Sequence, residues 1–296
     1  MKSEAAVLSG EQLAEVESAC HAAGGYLPAA VVNRIVASGI PLEQLMLDLI
    51  PLAKKFAIPP ISNFYVGAVA HGLSGSLYFG ANYEFPGQAL SFTVHGEQAA
   101  TAHAISFGET GIDLLAVSAA PCGYCRQFLY ELTTASTLQI ILPNTPTTLL
   151  TALLPNAFGP QDVGVTAALM SPQAHGMTLL APDEVTKAAL DAANSSYAPY
   201  SLSYAGVALK TSDGHVYTGS VAENAAFNPS MSPLEAAVVT LTINGRKKYS
   251  DITDAVLVEA ANSQASQISA TRDVLATMTN VPLRVHQALV PPAAKP

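Results

Sequence analysis

Apolar residues recur at helical spacing in the first part of the chain. Ser9 and Gln12 have the separation of a capping box, which predicts that a helix begins there. Apolar periodicity predicts a second short helix over residues 29–37 and a third over residues 41–56, which opens on a proline. We therefore interpret residues 1–40 as a small helical segment.

Strand-like and helical stretches then alternate. Apolar runs at residues 64–69 and 77–79 predict two strands joined by a hairpin turn. The pattern further predicts a helix over 94–106, a buried strand over 114–118, a helix from about Pro121 and a strand over 138–142. The buried strand would place the starts of its two neighbouring helices side by side at one edge of a sheet.

A different composition follows. Residues 143–182 hold six of the 20 prolines and a single charged residue, Asp162. A free linker would be polar, so this stretch predicts an extended connector, residues 143–181, that packs against an apolar surface.

From Pro182 the earlier pattern starts again. Residues 199–223 match residues 60–84 at a constant offset of 139, without a gap. Such a run indicates an internal duplication. It divides the chain into a first core over 41–142 and a second core over 182–296.

The sequence similarity between the two cores decreases toward the end of the chain. After a one-residue gap, Glu235 aligns with Glu97 and Pro233 takes the position of His95. The stretch from Ser263 onward has no clear counterpart in the first core.

Composition and charge exclude several classes of protein. About half of the 296 residues are apolar, only 12% are charged, and the mean hydropathy is +0.31, which excludes a disordered chain. A net charge of −9 argues against a nucleic-acid partner, whose phosphates require Lys and Arg. So low a charge content also suggests surface hidden against another subunit.

We expect no membrane association, because no apolar run reaches the roughly 20 residues that a membrane span requires. The N-terminus lacks the pattern of a secretory signal. Three cysteines cannot form an even disulfide framework, which favours a cytoplasmic location.

The residues that carry chemistry lie in the first core. His95 and Glu97 precede Cys122 and Cys125 by about 25 residues. A Cys-x-x-Cys pair alone is compatible with a redox pair or half of a structural zinc site. With one histidine it makes a set of three ligands that leaves the fourth tetrahedral position of zinc open, as in catalytic sites. The two thiols belong to the first turn of one helix.

Glu97 completes this predicted zinc site. An open zinc position lowers the pKa of bound water toward about 7, and a nearby carboxylate can then move its proton. If Glu97 were instead a fourth ligand, the site would be closed and would lack a base. The second core has no cysteine and no histidine at the matching positions. We expect it to be catalytically inactive.

The order His-x-Glu followed by Pro-Cys-x-x-Cys resembles the signature of zinc-dependent nucleobase deaminases. Over nearly its whole length the chain resembles the long, two-core, homodimeric cytidine deaminases of bacteria and plants. The resemblance implies an α/β fold: duplicated three-layer α/β/α cores, each with a mixed sheet between helices, after the N-terminal helical segment. It also implies one Zn²⁺ per subunit and hydrolysis of cytidine and 2′-deoxycytidine in pyrimidine salvage.

The same resemblance implies a substrate site shared between subunits. Asn82 and Glu84 would bind the ribose hydroxyls, and Phe64 would line the base pocket. Phe158, in the connector, would reach the base in the active site of the partner subunit. The expected substrate is a small nucleoside.

Two alternatives stay open from the sequence. The same chemistry can act on another nucleobase or on a nucleotide, although only Arg126 lies near the motifs to bind a phosphate. A non-enzymatic zinc module for protein interactions would need a fourth protein ligand, either Glu97 or a distant histidine.

Overall fold

The structure is a computed structural model and describes residues 7–291. The described chain divides into two compact units. The first holds the residues up to Glu84 together with Thr93–Ala157 and Ile243–Gly245. The second holds Phe85–Phe92, Phe158–Thr242 and the residues from Arg246 onward.

The helices of the first unit agree closely with the predicted pattern. They are α1 (Gly10–Ala22), α2 (Ala29–Ala37), α3 (Leu42–Lys54), α4 (Gly96–Ser106), α5 (Gly123–Leu129) and the short α6 (Leu150–Leu153). The capping box at the start of α1 is confirmed, because the Gln12 backbone N–H donates to Ser9 Oγ and the Ser9 N–H donates to Gln12 Oε1. The helix predicted over 94–106 begins two residues later than expected.

The strands of the first unit form one mixed sheet. They are β1 (Gly67–Gly72), β2 (Leu77–Ala81), β3 (Ile112–Val117), β4 (Gln139–Ile141) and β5 (Thr148–Leu149), in the order β2-β1-β3-β4-β5. The predicted hairpin joins β1 to β2, while β3 and β4 run parallel. The strand predicted from residue 64 begins only at Gly67, because Asn63 takes a left-handed conformation with φ of 53° and turns the chain just before it.

Helices cover both faces of this sheet. A Cβ on Gly67 would lie 2.7 Å from the carbonyl oxygen of Ile50 in α3, and a Cβ on Gly80 would lie 2.1 Å from the carbonyl oxygen of Gly96 in α4. Gly80 pairs with Ala68, the neighbour of Gly67 along β1. Neighbouring residues of a strand point to opposite faces, so α3 and α4 pack on opposite sides of the sheet.

The second unit repeats this plan. Its elements are α7 (Glu184–Asn194), β6 (Ala205–Thr211), β7 (Val216–Ser220), α8 (Pro233–Val239), β8 (Ile252–Ala260), α9 (Ile268–Leu275) and β9 (Leu283–Ala288), with strand order β7-β6-β8-β9. Gly206 packs against Ala189 and Ala193 of α7, and Gly219 packs against Pro233 and Ala237 of α8. The expected α/β class, with duplicated mixed sheets flanked by helices, is confirmed.

The C-terminal stretch does have a counterpart, so our expectation for the residues after Ser263 was wrong. Strand β9 runs parallel to β8, as β4 does to β3, and α9 lies between them in the chain as α5 does in the first unit. Leu114 pairs with Gln139 in the first sheet, whereas Ala255 pairs with Leu283 in the second. The longer crossover of the second unit breaks the constant offset that revealed the rest of the repeat.

The stretch between the cores holds little regular structure. Besides β5 and α6, residues 143–181 contain one 3₁₀ turn, Pro160–Val163. Within residues 7–291, no single helix is long and apolar enough to cross a membrane. Helices α2 and α3 reach that length and composition only when they are taken together, across a bend of 120°.

Candidate metal and catalytic site

His95 stands at the N-cap of α4. It has extended backbone angles, φ −89° and ψ 155°, and its N–H donates to Oε1 of Gln98 at 3.2 Å. The close approach of Gly80 to Gly96 and Ala100 holds this helix start against β2. The backbone of His95 is therefore fixed to the sheet through the first turn of α4.

The two cysteines stand at the start of α5. Cys122 is its N-cap, and its sulfur accepts the backbone N–H of Cys125 at 3.5 Å. Nδ1 of His95 lies 3.6 Å from Sγ of Cys122 and 3.3 Å from Sγ of Cys125, and the two sulfurs are 3.7 Å apart. The structure thus brings together the three predicted ligands, as the sequence spacing indicated. Among the described residues, this is the group that the structure offers for a metal ion.

These distances fit zinc. Tetrahedral zinc, with bonds of about 2.3 Å to sulfur and about 2.0 Å to nitrogen, requires edges of about 3.8 Å between sulfurs and about 3.5 Å between sulfur and nitrogen. The three measured edges lie within about 0.2 Å of those values. One imidazole and two thiolates are also a donor set that zinc favours.

The two thiols have pKa values shifted in opposite directions. A hydrogen bond from the Cys125 thiol, helped by backbone N–H groups of Cys125 and Tyr124, lowers the pKa of Cys122 to about 5. The same pairing, together with burial, raises the pKa of Cys125. One thiolate is therefore available to a cation at neutral pH, at a helix N-terminus whose dipole also favours negative charge.

Glu97 lies beside these ligands in the first turn of α4. Its side chain is buried, with 4% of its surface exposed. Burial raises the pKa of Glu97, although a hydrogen bond with Cys125 and the nearby His95 oppose the shift. A buried carboxyl group with a raised pKa suits reversible proton transfer.

Asn82 and Glu84, the predicted ribose ligands, shape the loop before β1. Glu84 accepts the N–H groups of Ile61 and Ser62 at 2.7 and 2.9 Å and the Ser62 hydroxyl at 2.5 Å. Burial alone would raise the pKa of Glu84, but these hydrogen bonds lower it below the ordinary value. Asn82 accepts the N–H of Val66 and donates to the carbonyl of Phe64. Both side chains are rigidly held.

The two predicted aromatic residues lie in different units. Phe64 is 59% exposed in the first unit, and Phe158 is 44% exposed in the second. Their contact with a substrate stays a prediction.

Two further residues of α5 support the site, and neither was singled out from the sequence for this role. Arg126 donates from Nε to the Pro121 carbonyl and from Nη1 to the Leu153 carbonyl, both at 2.8 Å. The Tyr124 ring stacks on the His95 imidazole, with centroids 5.4 Å apart and planes inclined by 29°. For Arg126, the sequence signal for a role at the site is its position directly after Cys125. For Tyr124 the only signal is its position between the cysteines.

The second unit corrects one alignment made from the sequence. Ser232 is the N-cap of α8, as His95 is of α4, so Pro233 does not stand at the histidine position. The Ser232 N–H donates to Glu235, as the His95 N–H donates to Gln98. Glu235 is therefore the counterpart of Gln98, and Leu234 stands where the first unit has Glu97.

Comparisons with known proteins agree with this site. Residues 41–140 and 150–272 each match a family model described as "Cytidine and deoxycytidylate deaminase zinc-binding region". A cytidine deaminase of Photobacterium profundum is 48% identical over 242 residues, 81% of this chain and 82% of that protein. One of Yersinia pestis (strain Pestoides F) is 50% identical over 230 residues, 78% of each chain.

Among solved structures, a crystal structure of cytidine deaminase from Mycobacterium tuberculosis is 34% identical to the part it matches. The match covers 37% of this chain and 91% of the solved chain, with a TM-score of 0.35.

Proposed function

The chain belongs to the cytidine and deoxycytidylate deaminase family, and we propose that it hydrolyses cytidine and 2′-deoxycytidine to uridine and 2′-deoxyuridine with release of ammonia. It is a hydrolase that acts on a carbon–nitrogen bond. The observation that carries this proposal is the convergence of three zinc ligands beside the buried Glu97.

His95, Cys122 and Cys125 would hold one Zn²⁺ in each subunit. When bound, zinc supplies a hydroxide ion at neutral pH for attack on C4 of the base. Glu97 takes the proton of the attacking water and delivers it to the neighbouring ring nitrogen, N3. It then moves the remaining proton of that water, now a hydroxyl on C4, to the amino group, which leaves as ammonia when the C4–N bond breaks. Its burial keeps bulk water from competing for the proton.

Asn82 and Glu84 bind the ribose hydroxyls in this proposal. A carboxylate has about four lone-pair sites, and the loop of Ile61 and Ser62 uses three of those on Glu84. Asn82 likewise keeps one N–H and one lone pair beyond its bonds to Phe64 and Val66. Both groups therefore retain hydrogen-bonding capacity for a sugar in a fixed geometry.

Aromatic rings would enclose the base. Phe64 forms one wall of the pocket, and Phe158 reaches the pocket of the partner subunit in a homodimer. Both rings have large exposed areas that stacking on a base would bury, which supports this proposal.

A free nucleoside, rather than a nucleotide or a nucleic acid, is the proposed substrate. Arg126, the cation near the motifs, donates from Nε and Nη1 to the backbone carbonyls of Pro121 and Leu153, so its guanidinium already has a structural role. The anionic Glu84 and the net charge of −9 also disfavour phosphate.

We further propose pyrimidine salvage in the cytoplasm as the setting, without a membrane or nucleic-acid partner. The proposed domains are the N-terminal helical segment 1–40, the catalytic core 41–142, the connector 143–181 and the inactive second core 182–296.

An assay of the purified protein tests the proposal. Cytidine should give uridine and ammonia, and cytidine 5′-monophosphate should react far more slowly. Glu97→Gln should lower kcat by about 10²–10⁴-fold with zinc content unchanged. The matched control is Glu235→Gln, a buried acid of the second unit, which should leave kcat unchanged.

Absence of turnover with zinc bound would refute deamination of cytidine. A faster reaction of the monophosphate would shift the substrate class to nucleotides. Near-normal kcat for Glu97→Gln would remove Glu97 from its role.

A further inference from the structure

The His95 imidazole presents only one of its nitrogens to the protein. Nδ1 faces the sulfurs of Cys122 and Cys125. Within residues 7–291, Nε2 makes no hydrogen bond to a protein group. Metal-binding histidines usually donate their second N–H to a carboxylate or carbonyl, which fixes the orientation of the ring. No protein group among the described residues therefore supplies this restraint.

An aromatic contact takes its place. The Tyr124 ring stacks on the imidazole at a centroid distance of 5.4 Å and an interplanar angle of 29°. Tyr124 stands between the two cysteines in the first turn of α5. One turn of helix thus supplies both sulfurs and the surface against which the imidazole rests.

This contact matters because the side-chain torsion that turns an imidazole is soft. The χ2 angle of histidine has broad, roughly two-fold preferences, so the N-cap backbone of His95 does not by itself aim Nδ1. A partial rotation about χ2 would tilt the ring and move Nδ1 away from the two sulfurs. Stacking on Tyr124 restricts rotation of the imidazole out of the plane that Nδ1 needs.

We propose that Tyr124 is a positioning residue, whose ring holds the His95 imidazole in the orientation that directs Nδ1 at the metal. This inference rests on the zinc site of the proposed function. It assigns the effect to the aromatic face, so the phenol hydroxyl is dispensable. Because Tyr124 is only half-buried, its replacement leaves the hydrophobic core of the unit intact.

The test compares Tyr124→Phe and Tyr124→Leu with Tyr130→Leu. Tyr130 is the C-cap residue of the same helix and is also half-buried, so it controls for loss of a ring elsewhere on α5. Zinc affinity is measured by competition with a chelator. Cobalt is then substituted for zinc, and its ligand-field and thiolate-to-cobalt absorption bands are recorded. Circular dichroism and thermal unfolding show that each variant is folded.

Tyr124→Leu should bind zinc about tenfold more weakly and shift the cobalt bands. Tyr124→Phe should match the unaltered protein, and so should Tyr130→Leu. Wild-type affinity and cobalt bands in Tyr124→Leu would overturn the inference. A loss in Tyr124→Phe as large as that in Tyr124→Leu would also overturn it, because the effect would then belong to the hydroxyl.

These readouts do not depend on turnover. A chain that binds zinc but leaves cytidine unchanged would refute the proposed function and leave this inference standing. A chain that does not bind zinc would overturn both.

Discussion

The two units share a sheet and a helix arrangement, yet only the first brings metal ligands together among the residues that the structure describes. Both have the same order of their four matching strands, with a glycine at each closest approach of helix to strand. They differ at the N-termini of two helices. The first unit has His95 and Cys122 at the N-caps of α4 and α5, whereas the second has Ser232 and Gln267 at those of α8 and α9. The glycines that let the helices pack on the sheet are therefore distinct from the residues that could bind a metal.

The loop before the first strand is alike in both units. In the second unit, Glu223 accepts the N–H groups of Tyr200 and Ser201 and the Ser201 hydroxyl, as Glu84 does with Ile61 and Ser62. The second unit thus keeps this carboxylate, although it lacks counterparts of the three metal ligands. Glu84 combines this structural task with the proposed binding of ribose.

The second unit ties its last helix to the sheet without a metal. Glu259, buried at the end of β8, accepts the Ser266 hydroxyl at 3.1 Å and the Gln267 N–H at 3.0 Å. A carboxylate at a helix N-terminus is favourable both as a hydrogen-bond acceptor and through the helix dipole. In the first unit, the thiol group of Cys122 serves the corresponding helix start.

The largest expected effect comes from making the first unit resemble the second. Cys125→Ser removes a fully buried ligand and should abolish stable zinc binding, with a loss of activity of about 10³-fold or more. Metal analysis and a cytidine assay measure both quantities. Cys20→Ser, at the buried cysteine of α1, is the control and should retain the metal. Zinc retained in Cys125→Ser would contradict the ligand assignment.

The two close helix–strand contacts provide a matched pair. A Cβ on Gly80 or on Gly219 would lie 2.1 Å from backbone of the packed helix, so Gly80→Ala and Gly219→Ala should each destabilise by about 3 kcal/mol. Denaturant unfolding measures this loss. Only Gly80→Ala should also weaken zinc binding, because α4 carries His95. Equal zinc affinities in the two variants would show that the site tolerates movement of α4.

Glu235 allows a test by pH. Burial raises the pKa of Glu235 from 4.5 to about 7, so between those pH values the folded chain holds a proton that the unfolded chain releases. Its contribution to stability therefore falls as pH rises through this window. Glu235→Gln, which copies Gln98 of the first unit, should raise stability at pH 8 by up to about 3 kcal/mol and change little at pH 4. Denaturant unfolding at both pH values is the measurement. An equal gain in stability at pH 4 would show that the effect does not come from ionisation of Glu235.

The smallest effects are expected at the matched serines. Ser62→Ala and Ser201→Ala each remove a hydroxyl that donates to a carboxylate, which should cost about 1–2 kcal/mol of stability. Ser62→Ala should also raise KM for cytidine, because Glu84 loses part of its fixed geometry. Ser201→Ala should leave KM unchanged. A raised KM in both variants would point to a general loss of stability rather than to the ribose contact.

Predictions from the sequence were most accurate where the structure depends on residues that are close together in the chain. The capping box of Ser9 and Gln12 and the bounds of α2 follow from short spacings. The group of His95, Cys122 and Cys125 follows from two predicted helix starts on either side of one buried strand. The alignment of Glu235 with Glu97 failed because a loop changed length. Eleven positions separate Glu84 from His95, but only nine separate Glu223 from Ser232. Extending the offset of the preceding strands with a one-residue gap therefore misaligns the helix that follows this loop.

The supporting contacts lay beyond sequence reasoning for another reason. Stacking of Tyr124 on His95 depends on side-chain rotamers from two separate helices, and the bonds of Arg126 end on carbonyls, which every residue carries. Apart from the positions of Tyr124 and Arg126 beside the cysteines, neither contact leaves a pattern of residue types along the chain. Such contacts become visible only when coordinates are known.

The placement of metal ligands at helix N-caps has a consequence for how such a protein changes over time. An N-cap residue must in any case satisfy the free N–H groups of its helix, and serine does so well. When Ser232 occupies that place, the helix keeps its start and the unit keeps its fold without the metal. After a duplication, one copy can therefore exchange an N-cap metal ligand for serine by substitution at a single position and still keep the helix start.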